Sequence, residues 1–137
     1  MSFITQADYL MLISSEDMEL VKQSSDAIRE KAESAAMDQA ESYLSQRYDC
    51  HAIWTTEGEA RNKMLVMVLI DLVLYHLHTH LPQRMGMEIR RQRYEDALAW
   101  LEAVAAGKIT PELPQPSDET LQTPIKFNSN PKTYPYF

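Results

Sequence analysis

Three histidines at alternate positions, His76, His78 and His80, are the residues of this chain whose spacing most readily suggests metal chemistry. On an α-helix, alternate residues point about 200° apart, so only His76 and His80 share a face, in the i, i+4 arrangement that zinc sites use. A third ligand would have to come from elsewhere, and the candidates are His51, Asp71 and Glu88. No glutamate follows His76 as it does in the metalloprotease motif. We therefore favour histidines at a helix end, where the helix dipole stabilises positive charge.

A single carboxylate, Asp71, interrupts the apolar run of residues 64–75. A carboxylate among apolar side chains needs a partner or a raised pKa. We expect Asp71 to pair with an arginine from another segment, either Arg47 or Arg93. No second acidic residue lies within two helical turns of it, so the pattern does not indicate a catalytic pair of carboxylates.

The basic cluster of the chain consists of Arg84, Arg90, Arg91 and Arg93. A helix spreads these side chains over several faces, and acidic residues surround them. We predict that Arg90 and Arg91 are interaction residues, in a subunit contact or in a contact with phosphate.

Composition narrows the function classes further. The chain has 137 residues, enough for one domain, and its net charge of −7 argues against general nucleic-acid binding, which depends on neutralising phosphates. Residues 64–75 are too few and too interrupted to span a bilayer, and the N-terminus lacks the pattern of a signal peptide. With one cysteine, Cys50, and no phosphate loop or serine elbow, we expect neither an enzyme nor a bound cofactor or metal.

The elements that must position these residues are predicted to be helices. Apolar spacing indicates an all-α fold, a compact bundle of about four to five helices with an extended Pro-rich C-terminal arm. A first helix begins at Thr5, and a second, capped at Ser14 and Ser15, runs to Lys22. A long amphipathic helix with a buried stripe of alanines covers residues 26–47.

The second half of the predicted helical domain contains Asp71 and one of its two candidate partners, Arg93. Residues 48–58 are predicted to form a loop anchored by Trp54, and residues 59–81 form a central helix that Pro82 ends. The last helix covers residues 87–106, includes Trp100, and is capped by Gly107. We assign structural roles to four residues of this half, namely Asp71, Arg93, Trp54 and Trp100.

Six of the seven prolines lie between positions 111 and 135, so the chain divides into a helical domain, residues 1–110, and an arm, residues 111–137. The arm also carries large apolar side chains, which gain by leaving water. We expect it to dock on its own body or on a neighbouring subunit. Its candidate contact residues are Ile125, Phe127, Tyr134, Tyr136 and Phe137.

Several segments in order resemble a known family. They are the N-terminal segment FITQADYL at residues 3–10, YLSQRYD at 43–49, Trp54, Asp71 followed by YHL at 75–77, RYEDALAWL at 93–101, and GKI at 107–109. In order and spacing they are similar to the small head-tail connector, or adaptor, proteins of tailed bacteriophages, especially the Mu-like prophage family.

That resemblance implies a structural virion protein. Such a subunit assembles into a ring, usually dodecameric, beneath the portal protein, where it extends the DNA channel and offers a docking surface for the next tail, stopper or terminator protein. DNA would pass through without sequence-specific binding. The expected location is the head-tail junction of the virion, and the bacterial host cytoplasm during assembly.

Two other function classes remain open from the residues alone. One is a soluble helical binding or regulatory module whose C-terminal tail engages a single partner. The other is a metal-dependent enzyme built on His76 and His80.

Overall fold

The structure, a computed structural model, describes residues 3–78 and 87–116. In these two ranges the chain forms six α-helices, one 3₁₀ turn and no β-strand, which confirms the all-α prediction. The helices are α1 (Gln6–Leu10), α2 (Ser15–Lys22), α3 (Asp26–Leu44), α4 (Cys50–Trp54), α5 (Lys63–Leu77) and α6 (Met87–Ala105).

The first two helices begin where their capping residues predict. The Thr5 hydroxyl accepts a hydrogen bond from the Asp8 backbone N–H, and the Asp8 carboxylate accepts one from the Thr5 N–H, so the two residues form a capping box. The Ser14 hydroxyl accepts a hydrogen bond from the Asp17 backbone N–H at 3.1 Å, which fixes the start of α2.

Helix α3 buries the predicted alanine stripe. Ser25 caps its first turn, with the hydroxyl oxygen 3.2 Å from the Ile28 nitrogen. The helix ends at Leu44, three residues before the predicted end at Arg47, because the chain turns there and buries the Tyr48 side chain. The buried residues of α3 are Ala32, Ala36, Ala40 and Leu44.

Residues 48–62 differ from the prediction of a loop over residues 48–58 followed directly by the central helix. Asp49 accepts a hydrogen bond from the Ala52 N–H at 3.1 Å and caps the short helix α4, which the sequence analysis missed. The central helix α5 begins at Lys63 rather than at residue 59, because the Asn62 side chain caps it through the Leu65 N–H at 3.0 Å. A 3₁₀ turn, Gly58–Ala60, precedes it.

Helix α5 is the centre of the core, as its apolar sequence predicts. It packs against α3 on one side and α6 on another, and α1 also contacts it. Ten of its side chains are buried, Asp71 among them. No helix in the described ranges is both long enough and apolar enough to cross a membrane.

Helix α6 ends in a glycine cap close to the predicted position. Gly107 has a φ of 81°, its N–H donates to the Val104 carbonyl at 3.0 Å, and the Lys108 N–H donates to the Ala103 carbonyl at 2.9 Å. These two bonds form a Schellman motif, in which glycine is favoured at the left-handed position.

The predicted arm begins in contact with the body. Residues 111–116 have no helix or strand, and Leu113 is buried. The Asn62 side chain donates to the Glu112 carbonyl at 3.2 Å, and the Asp49 N–H donates to the Pro114 carbonyl at 2.9 Å. Helix α5 ends at Leu77, four residues before the predicted end at Leu81. Residues 117–137, and the predicted turn that follows Pro82, lie outside the described residues.

Candidate functional site

The charge pair predicted for Asp71 is confirmed. Arg93, on α6, donates from Nε to Asp71 Oδ1 at 2.9 Å and from Nη2 to Oδ2 at 3.1 Å. This bidentate geometry joins α5 to α6, with the Asp71 side chain buried and the Arg93 side chain 38% exposed. The other candidate, Arg47, instead donates from Nε to the Ala105 carbonyl at 3.0 Å.

Burial dominates the electrostatics of this pair. Desolvation raises the pKa of the Asp71 carboxyl, and the hydrogen bonds and charge of Arg93, with the charge of Arg90, offset that effect only in part. The hydrogen bond to Asp71 in turn raises the pKa of Arg93. The carboxylate is therefore a buried acceptor whose charge depends on its arginine neighbours.

A second arginine reaches the same carboxylate without bonding to it. Arg90 Nη1 lies 3.9 Å from Asp71 Oδ1, and the Arg90 side chain is only 11% exposed. Its Nε and Nη1 atoms are buried and have no hydrogen-bond partner among the residues that the structure describes. Burial lowers the pKa of this guanidinium, although the charge of Asp71 opposes that effect.

The two predicted interaction arginines meet at one cavity. It has a volume of about 230 Å³ and lies where the end of α5 faces the first turn of α6. Arg90 is partly buried in it, whereas Arg91 is exposed. The residues that line the cavity are Tyr75, His78, Glu88, Arg90 and Arg91.

A polar and aromatic network borders this cavity and links three helices. Tyr75 and Tyr94 stack with ring centroids 3.9 Å apart. His76 Nε2 lies 2.9 Å from Gln39 Oε1, and Gln39 Nε2 donates to the Tyr94 hydroxyl at 3.0 Å. Because the amide oxygen only accepts, His76 Nε2 carries the proton in this arrangement. Burial, together with the charge of His78, lowers the pKa of His76.

The histidine series has other roles in the described residues than metal binding. His76 is bonded to Gln39, and His78 Nδ1 is hydrogen-bonded to the Tyr75 carbonyl. Across residues 3–78 and 87–116, no group of three or more His, Cys, Asp or Glu side chains could hold a metal ion. His80, the proposed partner of His76, lies outside the described residues.

Asp8 and Arg61 form a second buried charge pair, which the sequence analysis did not identify. Arg61 donates from Nη1 to Asp8 Oδ2 at 2.6 Å and from Nη2 to Oδ1 at 3.0 Å, and Nη1 also donates to the Phe3 carbonyl. Burial raises the Asp8 pKa, but hydrogen bonds from Arg61 and Thr5 outweigh it and leave that pKa lowered. The pair ties the N-terminal segment to the start of α5.

Both tryptophans pack against the core, where structural roles were predicted for them. Trp54 Nε1 donates to Glu41 Oε1 at 2.8 Å, and the Phe3 ring meets Trp54 edge-on with centroids 5.3 Å apart. Cys50 is buried at the start of α4, and burial raises the pKa of its thiol to about 11. The thiol is therefore protonated near neutral pH and a poor nucleophile.

Comparison with known proteins gives one family. The family model described as bacteriophage Mu, Gp36 matches residues 2–127. The match includes the helical body, both charge pairs, Arg90 and Arg91, and the first two candidate residues of the arm, Ile125 and Phe127. No curated protein matches the chain. The remaining candidates, Tyr134, Tyr136 and Phe137, follow the matched region, and all five arm residues lie outside the described residues.

Proposed function

Because the chain belongs to the bacteriophage Mu Gp36 family, we propose that this phage protein is a structural component of the virion that joins the portal of the head to the tail. In this proposal the subunits form a ring, a dodecamer by resemblance to head-tail connector proteins, that extends the DNA channel below the portal. Its location is the head-tail junction. The family match over residues 2–127 is the observation that carries the proposal.

The surface near the start of α5 supports self-association. Leu10 is 45% exposed, Met11 61% and Met64 44%. Met11 also lines a cavity of about 180 Å³ with Lys63 and Val66, which places the end of α1 beside the first turn of α5. A ring requires two different surfaces on each subunit, and this apolar surface is suited to be one of them.

The start of the arm supports a second surface. Asn62 and Asp49 hold the backbone of residues 112–114 on the body, so the arm leaves from a fixed point. The 21 residues that follow position 116 span at most about 75 Å when fully extended. That reach is sufficient for the aromatic residues Tyr134, Tyr136 and Phe137 to contact a neighbouring subunit, the portal or a tail protein.

The charge of the chain fits a channel through which DNA slides. A net charge of −7 opposes tight binding of phosphates, so we expect the ring to surround DNA without sequence-specific contacts. The proposal assigns the protein no catalytic role, cofactor or metal.

Truncation after Pro116 tests the role of the arm. This end point keeps the buried Leu113 and the hydrogen bond to Pro114, so we expect an unchanged melting temperature. If the arm contacts a neighbour, the truncated protein loses ring formation or tail joining, measured by mass photometry and by assembly onto purified portal. In the full-length protein, the triple variant Tyr134→Ala/Tyr136→Ala/Phe137→Ala should show the same loss of assembly. The control variant Asn128→Ala/Asn130→Ala changes polar residues of the same arm and should assemble normally.

The same truncation separates the connector from a regulatory module. A regulatory module would lose one binary interaction and would form no ring even at full length. Full assembly by the truncated protein would contradict the role proposed for the arm.

A further inference from the structure

We propose that the cavity between the end of α5 and the first turn of α6 is a binding site for a carboxylate that another protein chain supplies. The inference goes beyond the connector function and does not depend on ring formation. It rests on the arrangement of Arg90, Arg91 and His78 around this cavity.

One buried guanidinium in this part of the structure makes no hydrogen bond to the carboxylate that it faces. Arg93 binds both oxygens of the buried Asp71 carboxylate, and Arg90 Nη1 is left 3.9 Å away, with its Nη1 and Nε unpartnered among the described residues. A buried guanidinium whose N–H groups lack acceptors is costly, because the protein does not replace the water that it has lost. The site therefore lacks an acceptor for Arg90.

Other acidic residues do not supply that acceptor. Asp17 acts on Arg90, and Asp96 on Arg93, through charge alone, and neither hydrogen-bonds to Arg90. Glu88 lines the cavity but is exposed and makes no ion pair with either arginine. A hydrogen-bond acceptor supplied from outside the chain would therefore find the N–H donors of Arg90 already oriented by the fold.

The cavity has the polarity that an oxyanion requires. Two guanidinium groups line it, and it lies at the first turn of the 19-residue helix α6, where the helix dipole favours negative charge. His78 donates from Nδ1 to the Tyr75 carbonyl, so its Nε2 is the ring nitrogen left for other contacts. The volume of about 230 Å³ suits one acidic side chain.

A carboxylate is a better fit than the phosphates of DNA. Affinity for DNA comes from many phosphate contacts along a basic surface. This site has only two arginines with Glu88 beside them, and the chain has a net charge of −7. A single acidic side chain from a protein needs only a local match. The occupant that we propose is therefore an acidic side chain of another protein chain.

Acetate is a direct probe of this site in the full-length protein. We expect acetate, exchanged for chloride at constant ionic strength, to raise the melting temperature and to shift the Arg90 Nε–Hε NMR signal in a saturable way. Arg90→Met removes the observed Nε–Hε group itself, so the melting temperature is the readout for this variant, and acetate should then raise it no more than chloride does. Arg91→Met, a change at an exposed position, should weaken acetate binding roughly tenfold through loss of a charged hydrogen bond. Arg47→Met removes the same charge away from the cavity and should leave acetate binding intact.

Three results would overturn the proposal. The first is a rise in melting temperature with acetate that is no larger than the rise with chloride. The second is an acetate response that persists in both Arg90→Met and Arg91→Met. The third is saturable binding of inorganic phosphate or duplex DNA at this site without binding of acetate. None of these readouts depends on ring assembly, so the carboxylate site and the connector function can fail separately.

Discussion

Arg93 and Arg90 use the same buried carboxylate in different ways. Arg93 binds both oxygens of Asp71, whereas Arg90 is close enough to feel its charge but makes no hydrogen bond to it. The sequence predicts the first contact, because a lone carboxylate in an apolar helix requires a cation from another segment. It does not predict the second, because the exposure of Arg90 depends on how α6 packs against α5.

The Asp8–Arg61 pair was not predictable for a related reason. Thr5 and Asp8 identify a helix cap from their spacing, but the partner of Asp8 is 53 residues away. Arg61 adopts an extended backbone rather than the predicted helix, and its guanidinium lies against both Asp8 and the Phe3 carbonyl.

His76 should make the stability of the protein sensitive to mild acid. Its pKa is lowered by burial and by His78, so the folded state binds its proton more weakly than the unfolded state. This contribution to stability is present above the ordinary histidine pKa of about 6.5 and is lost as the pH falls below it. His76→Gln retains an amide donor for Gln39 and cannot titrate, so its unfolding free energy should fall less between pH 7 and pH 5.

Urea unfolding across this pH range measures the difference. His51→Gln is the control, because His51 is exposed on α4. The unfolding free energy of this variant should depend on pH as that of the wild-type protein does. Parallel pH curves for His76→Gln and the wild-type protein would show that His76 does not contribute.

At the scale of elements, long apolar patterns and caps were predictable and short helices were not. The starts of α1 and α2 follow from Thr5 and Ser14, and the burial of α5 follows from its composition. Helix α4 has five residues, too few to show a helical period, and it depends on the Asp49 cap and on burial of Ile53. Helix α5 starts at Lys63 rather than at the predicted residue 59. The sequence of residues 59–61 is compatible with a helix, and only the capping role of Asn62 identifies the true start.

The alanine stripe of α3 should tolerate little added volume. Ala36 is fully buried on α3, a helix that packs against α5 and α6, so Ala36→Leu should destabilise the protein by about 1–3 kcal/mol through overpacking. Ala35→Leu adds the same side chain at an exposed position of the same helix and should change stability by less than about 0.5 kcal/mol. Chemical denaturation measures both. Equal stabilities for the two variants would contradict the packing described for α3.

At the scale of the whole molecule, two segments from opposite parts of the chain meet at the start of α5. Arg61 binds the Phe3 carbonyl and Asn62 binds the Glu112 carbonyl, so adjacent residues hold the N-terminal segment and the beginning of the arm. The exposed apolar residues Leu10, Met11 and Met64 lie at the end of α1, directly after it, and in the first turn of α5. This region is therefore the part of the described surface best placed to combine an apolar contact with an arm.

The family was predictable from short segments in order, but the surfaces that contact other chains were not. The segments that carry the resemblance contain core residues and caps, such as Tyr9, Asp71 and Gly107, whose roles are internal. Contacts between subunits depend on exposed residues, which a single sequence does not distinguish from ordinary surface.

Electron microscopy of the full-length protein, alone and mixed with purified portal protein, tests the connector proposal most directly. We predict rings with a central channel, formed alone or on the portal, with twelve subunits each. Monomers that remain dispersed and bind neither portal nor tail proteins would contradict the proposal.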